Sequence, residues 1–117
     1  MEFFASDKEL VEKAKQSAEK LRNVKTHQLR RIYSEIYSIY KQSKSKQDFS
    51  SAKSRLILLM PQLAYAESRN SGLYCLTSEL IKMINQIDRG GNPKDKIKEI
   101  YQFVQSVIGY HKERRKL

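Results

Sequence analysis

The stretch THQLRRIYSEIYSIYK, from Thr26 to Lys41, decides the fold class. Its apolar side chains, Leu29, Ile32, Tyr33, Ile36, Tyr37 and Tyr40, return every three or four residues. That is the period of one face of an α-helix, whereas a strand would alternate every second residue. Thr26 can act as the N-cap, because its hydroxyl can accept from an unpaired amide of the first turn. Arg30, Arg31, Ser34, Ser38 and Lys41 fall on the opposite face. The polar run Gln42–Gln47 breaks the pattern and reads as a loop.

The same period holds outward from this stretch. Ser6 with Glu9 three residues on is a capping box, opening a helix from Asp7 to Arg22. Its stripe of Leu10, Val11, Ala14, Ala18 and Leu21 is thin, so weak packing is expected. A third helix starts near Phe49–Ser51 and reaches about Ser68. It is apolar almost all round, with Ile57, Leu58, Met60 and Ala64 outside the Leu56–Leu59–Leu63 face, which suits the centre of a bundle. Pro61 is expected to kink it without ending it, because the pattern resumes in phase. Asn70, Ser71 and Gly72 turn the chain into a fourth helix carrying Leu73, Leu76, Leu80, Met83, Ile84 and Ile87. Gly90, Gly91 and Asn92 end it, and Asn92-Pro93 caps a fifth, which buries Ile97, Ile100, Tyr101, Val104, Val107 and Ile108. The expected fold is all-α, a single compact bundle of about five helices.

The chain of 117 residues fits one domain, residues 1–117, with 1–25 as N-terminal helix and linker and 112–117 as a basic tail expected to fray. Hydrophobic residues make up 39%, enough for one core, and four Gly with two Pro are too few for a turn-rich sandwich or barrel. No apolar run approaches the length of a membrane span, and the start lacks the basic and apolar stretches of a signal peptide. With Cys75 the one cysteine, neither an internal disulfide nor a cysteine-built zinc site can form. A cytoplasmic location, away from membranes, is expected.

Charge gives the first functional clue. Lys and Arg number 23 against 13 Asp and Glu, a net +10. Residues 1–22 are balanced, whereas residues 23–55 carry +6 and residues 112–117 carry +3. Positive charge gathered in this way suits a polyanion, because neutralising phosphates releases condensed counterions.

Catalytic constellations are missing by comparison. His27 and His111 have no carboxylate or second histidine at metal-ligand spacing, so each reads as a surface or packing residue. Cys75 lies away from the Leu76–Leu80–Ile84 face without a basic helper and reads as a structural thiol. Gly90-Gly91 lacks the Lys-Ser/Thr of a phosphate loop. No cofactor, metal site or catalytic residue is expected. Tyr33, Tyr37 and Tyr40 share a face with Leu29, Ile32 and Ile36, which favours packing over base stacking. Tyr65 points away from the core stripe, so its hydroxyl can meet water or a phosphate. Two groupings suit phosphate: Arg30, Arg31 and Lys41 with their serines, and the row Arg55, Gln62, Arg69 spaced by seven.

Three motifs in order, Thr26-His-Gln-Leu-Arg-Arg-Ile-Tyr33, Leu59-Met-Pro-Gln-Leu-Ala-Tyr-Ala-Glu-Ser-Arg69 and Val107-Ile-Gly-Tyr-His-Lys112, resemble the small helical subunit of type III-A CRISPR (Csm) effector complexes. The resemblance runs from Thr26 to Lys112 and leaves the first helix outside. It implies a helical protein without catalytic activity, part of an antiviral interference complex. Copies would stack as an inner filament beside the subunits that hold the CRISPR RNA, their basic surfaces following the guide and target RNA duplex. By position, the family's Leu-Arg motif falls on Leu29-Arg30 with Arg31 beside it, its Tyr-x-x-x-Arg on Tyr65 and Arg69, and its Tyr-x-Lys on Tyr110 and Lys112. Ser68 stands where the family often has glycine, and Gln62 where a basic residue is common.

The expected RNA-binding set is Arg30, Arg31, Lys41, Lys53, Arg55, Tyr65, Arg69 and Lys112. The expected partners are CRISPR RNA, target RNA, other subunits of the complex and copies of the chain itself. The contrasting reading is a DNA-binding regulator of helix-turn-helix type, which needs two short helices joined by a tight turn. The expected loop after Lys41 argues against it. A nuclease, a third possibility, lacks its acidic or histidine cluster.

Overall fold

The computed structural model describes residues 3–46, 49–89 and 93–115. Among the described residues the chain forms five α-helices: α1 (Asp7–Lys20), α2 (Thr26–Lys46), α3 (Phe49–Arg69), α4 (Tyr74–Asp88) and α5 (Pro93–Arg115). A single 3₁₀ turn, Ser71–Leu73, joins α3 to α4, and no strand occurs among the described residues. Ser6 caps α1 as its sequence requires, its Oγ accepting from the Glu9 amide at 3.1 Å. Asn70 fastens the turn after α3. Its Oδ1 accepts from the Gly72 amide at 3.0 Å, and its Nδ2 donates to Gln28 Oε1 of α2 at 2.8 Å. A Cβ at Gly72 would sit 3.1 Å from Val24 Cγ2 and 3.1 Å from Asn70 Oδ1, so a larger residue would push these side chains by a few tenths of an ångström. The Gly90–Asn92 terminator and cap lie outside the described residues. Pro93 is the first residue of α5, where its missing amide has no helical partner to lose.

The helices run alternately up and down. Phe3 and Phe4 amides donate to Glu99 near the start of α5, while His111 near its end meets Leu21 and Val24 beyond α1, so α1 and α5 are parallel. Gln28–Asn70 at one end and Gln42–Ser51 at the other make α2 and α3 an antiparallel hairpin. The core draws on every helix, with Ala14, Leu29, Leu56, Leu80, Phe103 and Val107 among its buried members.

Several expectations are corrected here. α2 does not end at Lys41 but continues to Lys46; of the expected loop, Gln47 lies outside the described residues. Polar bonds, invisible to a hydrophobic period, carry the extra turn. Buried Ser43 returns its hydroxyl to the Tyr40 carbonyl at 2.7 Å, and the Gln42 amide donates to Ser51 of α3 at 3.1 Å. α1 does not pack weakly. Ala14, Ala18 and Leu21 are fully buried, since small side chains let α1 lie close along α5. The helix that touches all four others is α5, and α3 lies between α2 and α4. Accordingly only one side of the apolar α3 is covered: Ile57 and Met60 pack on the core, but Leu58 is 65% exposed and Ala64 is exposed. α3 runs through Pro61 without stopping, and that proline faces solvent. Lys112 sits in α5, which extends to Arg115; residues 116–117 lie outside the described residues.

Candidate nucleic-acid interface

The α2–α3 hairpin sorts its side chains by face. Leu29, Ile32, Ile36 and Ile39 turn inward, which leaves Arg30, Arg31, Ser34, Ser38 and Lys41 on the surface. Neither Arg30 nor Arg31 has an ion-pair or hydrogen-bond partner among the described residues. The sequence pairs Arg31 with Glu35 one turn on, but Glu35 faces α3 instead, with Arg55 Nη2 at 3.6 Å. Arg30 and Arg31 are thus free to meet an external anion.

At the same end of the hairpin stand Tyr65 and Arg69 on the last turns of α3. Arg69 Nη1 donates to the Tyr65 hydroxyl at 3.1 Å, and its guanidinium lies 5.8 Å from the Tyr65 ring centre. Tyr65 is 64% exposed, and the pair forms a cationic and aromatic surface with most of the guanidinium fork unused. Lys112, also exposed, comes to this end on α5, because His111 beside it is clamped to the α1–α2 linker. His111 is fully buried, with Nε2 3.0 Å from the Leu21 carbonyl and 2.8 Å from that of Val24. Only a protonated Nε2 satisfies both acceptors, so this histidine is a packing residue, as its spacing implied.

The remaining candidates divide differently. Arg55 is not available as expected. It donates from Nη1 to Gln42 Oε1 at 2.6 Å and from Nη2 to Ser38 Oγ at 3.3 Å, besides facing Glu35, so it stitches α3 to α2. The row Arg55–Gln62–Arg69 therefore has one structural end and one open end. Lys53 is half-buried and already engaged. Lys41 lies 5.7 Å from the ring centre of Tyr37, on the outside of α2.

The tyrosines pack, with one edge outward. Tyr40 stacks on Tyr101 of α5 at 4.4 Å and 4°, and the Tyr33 and Tyr101 hydroxyls approach to 3.5 Å. The hydrogen bond with Tyr33 pushes Tyr101 up to about 12, and burial and the three neighbouring tyrosines add to the effect. Tyr37 alone of this group comes to the surface, 39% exposed. Cys75 is half-buried with Sγ 3.8 Å from Ser17 Oγ. No group of three or more potential metal ligands occurs among the described residues. No helix among them is long and apolar enough to cross a membrane.

A family model described as Csm2 Type III-A matches residues 5–116, nearly the whole chain. The chain belongs to the Csm2 Type III-A family. Its place is therefore that of a small subunit of a type III-A CRISPR complex, alongside the other subunits of that complex. The match takes in α1, which the motif resemblance from Thr26 to Lys112 leaves out. No curated protein and no solved structure matches the chain. Sequence reasoning also missed a set of Csm2 residues at the other end of the bundle, Lys44, Lys94 and Lys98, which surround a cleft with Tyr40 and Phe49. Their spacing on α5, four residues apart, was legible; their meeting with Lys44 was not, because Lys44 fell in an expected loop.

Proposed function

We propose that the chain is a non-catalytic RNA-binding scaffold of the type III-A complex, stacking with copies of itself along the guide and target RNA duplex. The observation that carries this reading is the pair Arg30 and Arg31, exposed and without partners among the described residues, at the end of the hairpin that also bears Tyr65 and Arg69. Cations of this kind grip phosphates and set register without reading bases. Csm2 membership supports a structural rather than an enzymatic part, since the family supplies a structural subunit of its complex. Lys41 and Lys112 extend the basic surface to either end, while Arg55 ties α3 to α2 in the hairpin that presents it. A cytoplasmic location follows from the same reading.

The helix-turn-helix alternative loses its main counter-argument, because the expected long loop after Lys41 is mostly helix. It gains no support in return. Two antiparallel helices of 21 residues each are not the short crossed pair that enters a groove.

The test is RNA affinity of the assembled subunit at several salt concentrations, with Arg31→Ala and Arg69→Ala. Each substitution should weaken unrelated sequences equally and lower the log–log salt slope by about one unit or slightly less. Thermal stability should move by only about 0.5 kcal/mol, since both side chains are exposed. An unchanged slope at full affinity would return these arginines to a solubility role. Co-purification of tagged protein with sequencing of the bound RNA identifies the strand and the companion subunits.

A further inference from the structure

Two of the clefts among the described residues are separated by their charge. One, of about 290 Å³ between α1, α4 and α5, sets Glu9 and Glu79 against Lys13 and Lys20. It is balanced and asks for no ion. The other, of about 390 Å³, lies where α2 ends and α3 and α5 begin. Its lining is Tyr40, Ser43, Lys44, Phe49, Lys94 and Lys98. Among the described residues that lining holds three cations and no carboxylate, and neither Lys44 nor Lys98 has a partner.

The geometry points to a site for one unstacked nucleotide of RNA, its phosphate held by Lys44 and Lys98 and its base against Phe49 and Tyr40. This deepens the RNA reading given above and rests on it. Lys94 and Lys98 stand one turn apart on one face of α5, and Lys98 has no partner among the described residues. Lys44 lines the same cleft from α2, so its cations come from two helices and are not a run along one surface. The volume falls in the range of small-ligand pockets. Two of its six lining residues are aromatic: Phe49 packs on the core, and Tyr40 is fixed by its stack on Tyr101. Aromatic faces beside backbone-tracking cations are the means by which single-stranded bases are held without sequence preference. Ser43 adds one oriented contact. Its proton is given to the Tyr40 carbonyl, so toward the cleft its oxygen can only accept, which suits a ribose hydroxyl or a base N–H and not a phosphate.

The site is distinct from the Arg31–Arg69 end, at the opposite end of the hairpin, so the two can be removed separately. The full ¹⁵N-labelled chain is titrated with uridine monophosphate, uridine and inorganic phosphate, followed by backbone amide shifts. The expected result is saturable shifts around Lys44, Phe49 and Lys98, with the nucleotide bound about tenfold more tightly than either half alone. Shifts from inorganic phosphate of equal affinity would reduce the cleft to a plain anion site and overturn the proposal, as would no saturable binding. A second arm measures a single-stranded oligoribonucleotide. The double variant Lys44→Ala, Lys98→Ala should lose nucleotide binding and lower the single-stranded RNA salt slope by about 1.4 units, whereas Arg31→Ala should leave nucleotide binding intact. A double variant that loses the nucleotide but keeps full RNA affinity and slope overturns this site and leaves the scaffold reading standing. A wild-type chain with no RNA affinity overturns both. Amide spectra of each variant, unchanged away from the cleft, show that the fold persists.

Discussion

The α1–α5 side and the α2–α3 hairpin are built on opposite plans. α1 contributes as many acidic as basic residues and is held by contact: Ala14 and Ala18 are fully buried, and Phe4 stacks on Phe103 at 5.4 Å. The hairpin carries the excess of positive charge and is held partly by polar bonds, through Arg55, Gln42, Ser38 and Ser51. Close apolar packing seats α1 against α5 with its charges balanced. Polar stitching on the inner edge of the hairpin lets its outer edge remain charged and open. The division teaches that charge count alone does not locate an interface in this chain: Arg55 belongs to the stitching and Arg31 to the open edge, though the two look alike in sequence.

The comparison breaks first on the apolar side. Phe103→Ala removes the fully buried ring that carries Phe4, and should cost about 3–5 kcal/mol in denaturant unfolding. A cost below about 1 kcal/mol would mean that the Phe4–Phe103 stack does not hold the N-terminal arm. The next effect tests closeness directly. Ala18→Leu should overpack the α1–α5 contact and destabilise by about 1–3 kcal/mol, whereas Ala64→Leu on the exposed side of α3 should stay within about 0.5 kcal/mol. Equal effects would refute the claim that α1 is seated by small residues.

What the sequence made legible follows the same division. The helical period of α2, α4 and α5 is carried by Leu, Ile and Val, and those helices appear where the period puts them. The extra turn Gln42–Lys46 was not legible, because what holds it is a hydroxyl on a carbonyl and a glutamine reaching α3. The close seat of α1 was hidden for a related reason. A stripe of alanines contributes little hydrophobicity, yet its value lies in the approach that it permits. At the candidate interface, the exposure of Arg30, Arg31, Tyr65 and Arg69 follows from their helix faces, whereas the engagement of Arg55 was not legible, because its partners Glu35, Ser38 and Gln42 are remote in the chain and adjacent only in the hairpin.

Arg55 therefore gives the third and smaller effect. Its hydrogen bonds and ion pair are partly exposed, at 34% for its side chain, so screening discounts them. Arg55→Ala should cost about 1 kcal/mol in a thermal or denaturant melt and leave the RNA salt slope unchanged. A slope reduced by a full unit with an unchanged melt would move Arg55 back among the phosphate ligands, and the contrast with Arg31 would fail.

The smallest effect lies at the seam between the two plans, where Tyr101 of α5 meets Tyr33, Tyr37 and Tyr40 of α2. The Tyr33 hydrogen bond, followed by burial and the neighbouring phenols, raises Tyr101 to about 12 in the fold, against about 10 for a free phenol. The unfolded chain therefore loses this proton first on going to alkaline pH. Below about pH 10 both states keep the proton and the contribution to stability is complete. As pH rises from about 10 through 12 the unfolded state is favoured, and that contribution is lost. Tyr101→Phe keeps the ring that stacks on Tyr40 and removes the titrating hydroxyl. At neutral pH it should change stability only by the loss of one weak bond to Tyr33, 3.5 Å long, about 0.5 kcal/mol or less. In an alkaline series the wild type should lose stability more steeply than the variant between pH 10 and 12, and the tyrosine absorbance titration of the folded wild type should contain one late-ionising phenol that the variant lacks. Parallel curves across that window, or a late phenol that survives in Tyr101→Phe, would show that α2 and α5 meet through shape alone and that the hydroxyl pair contributes nothing to the seam.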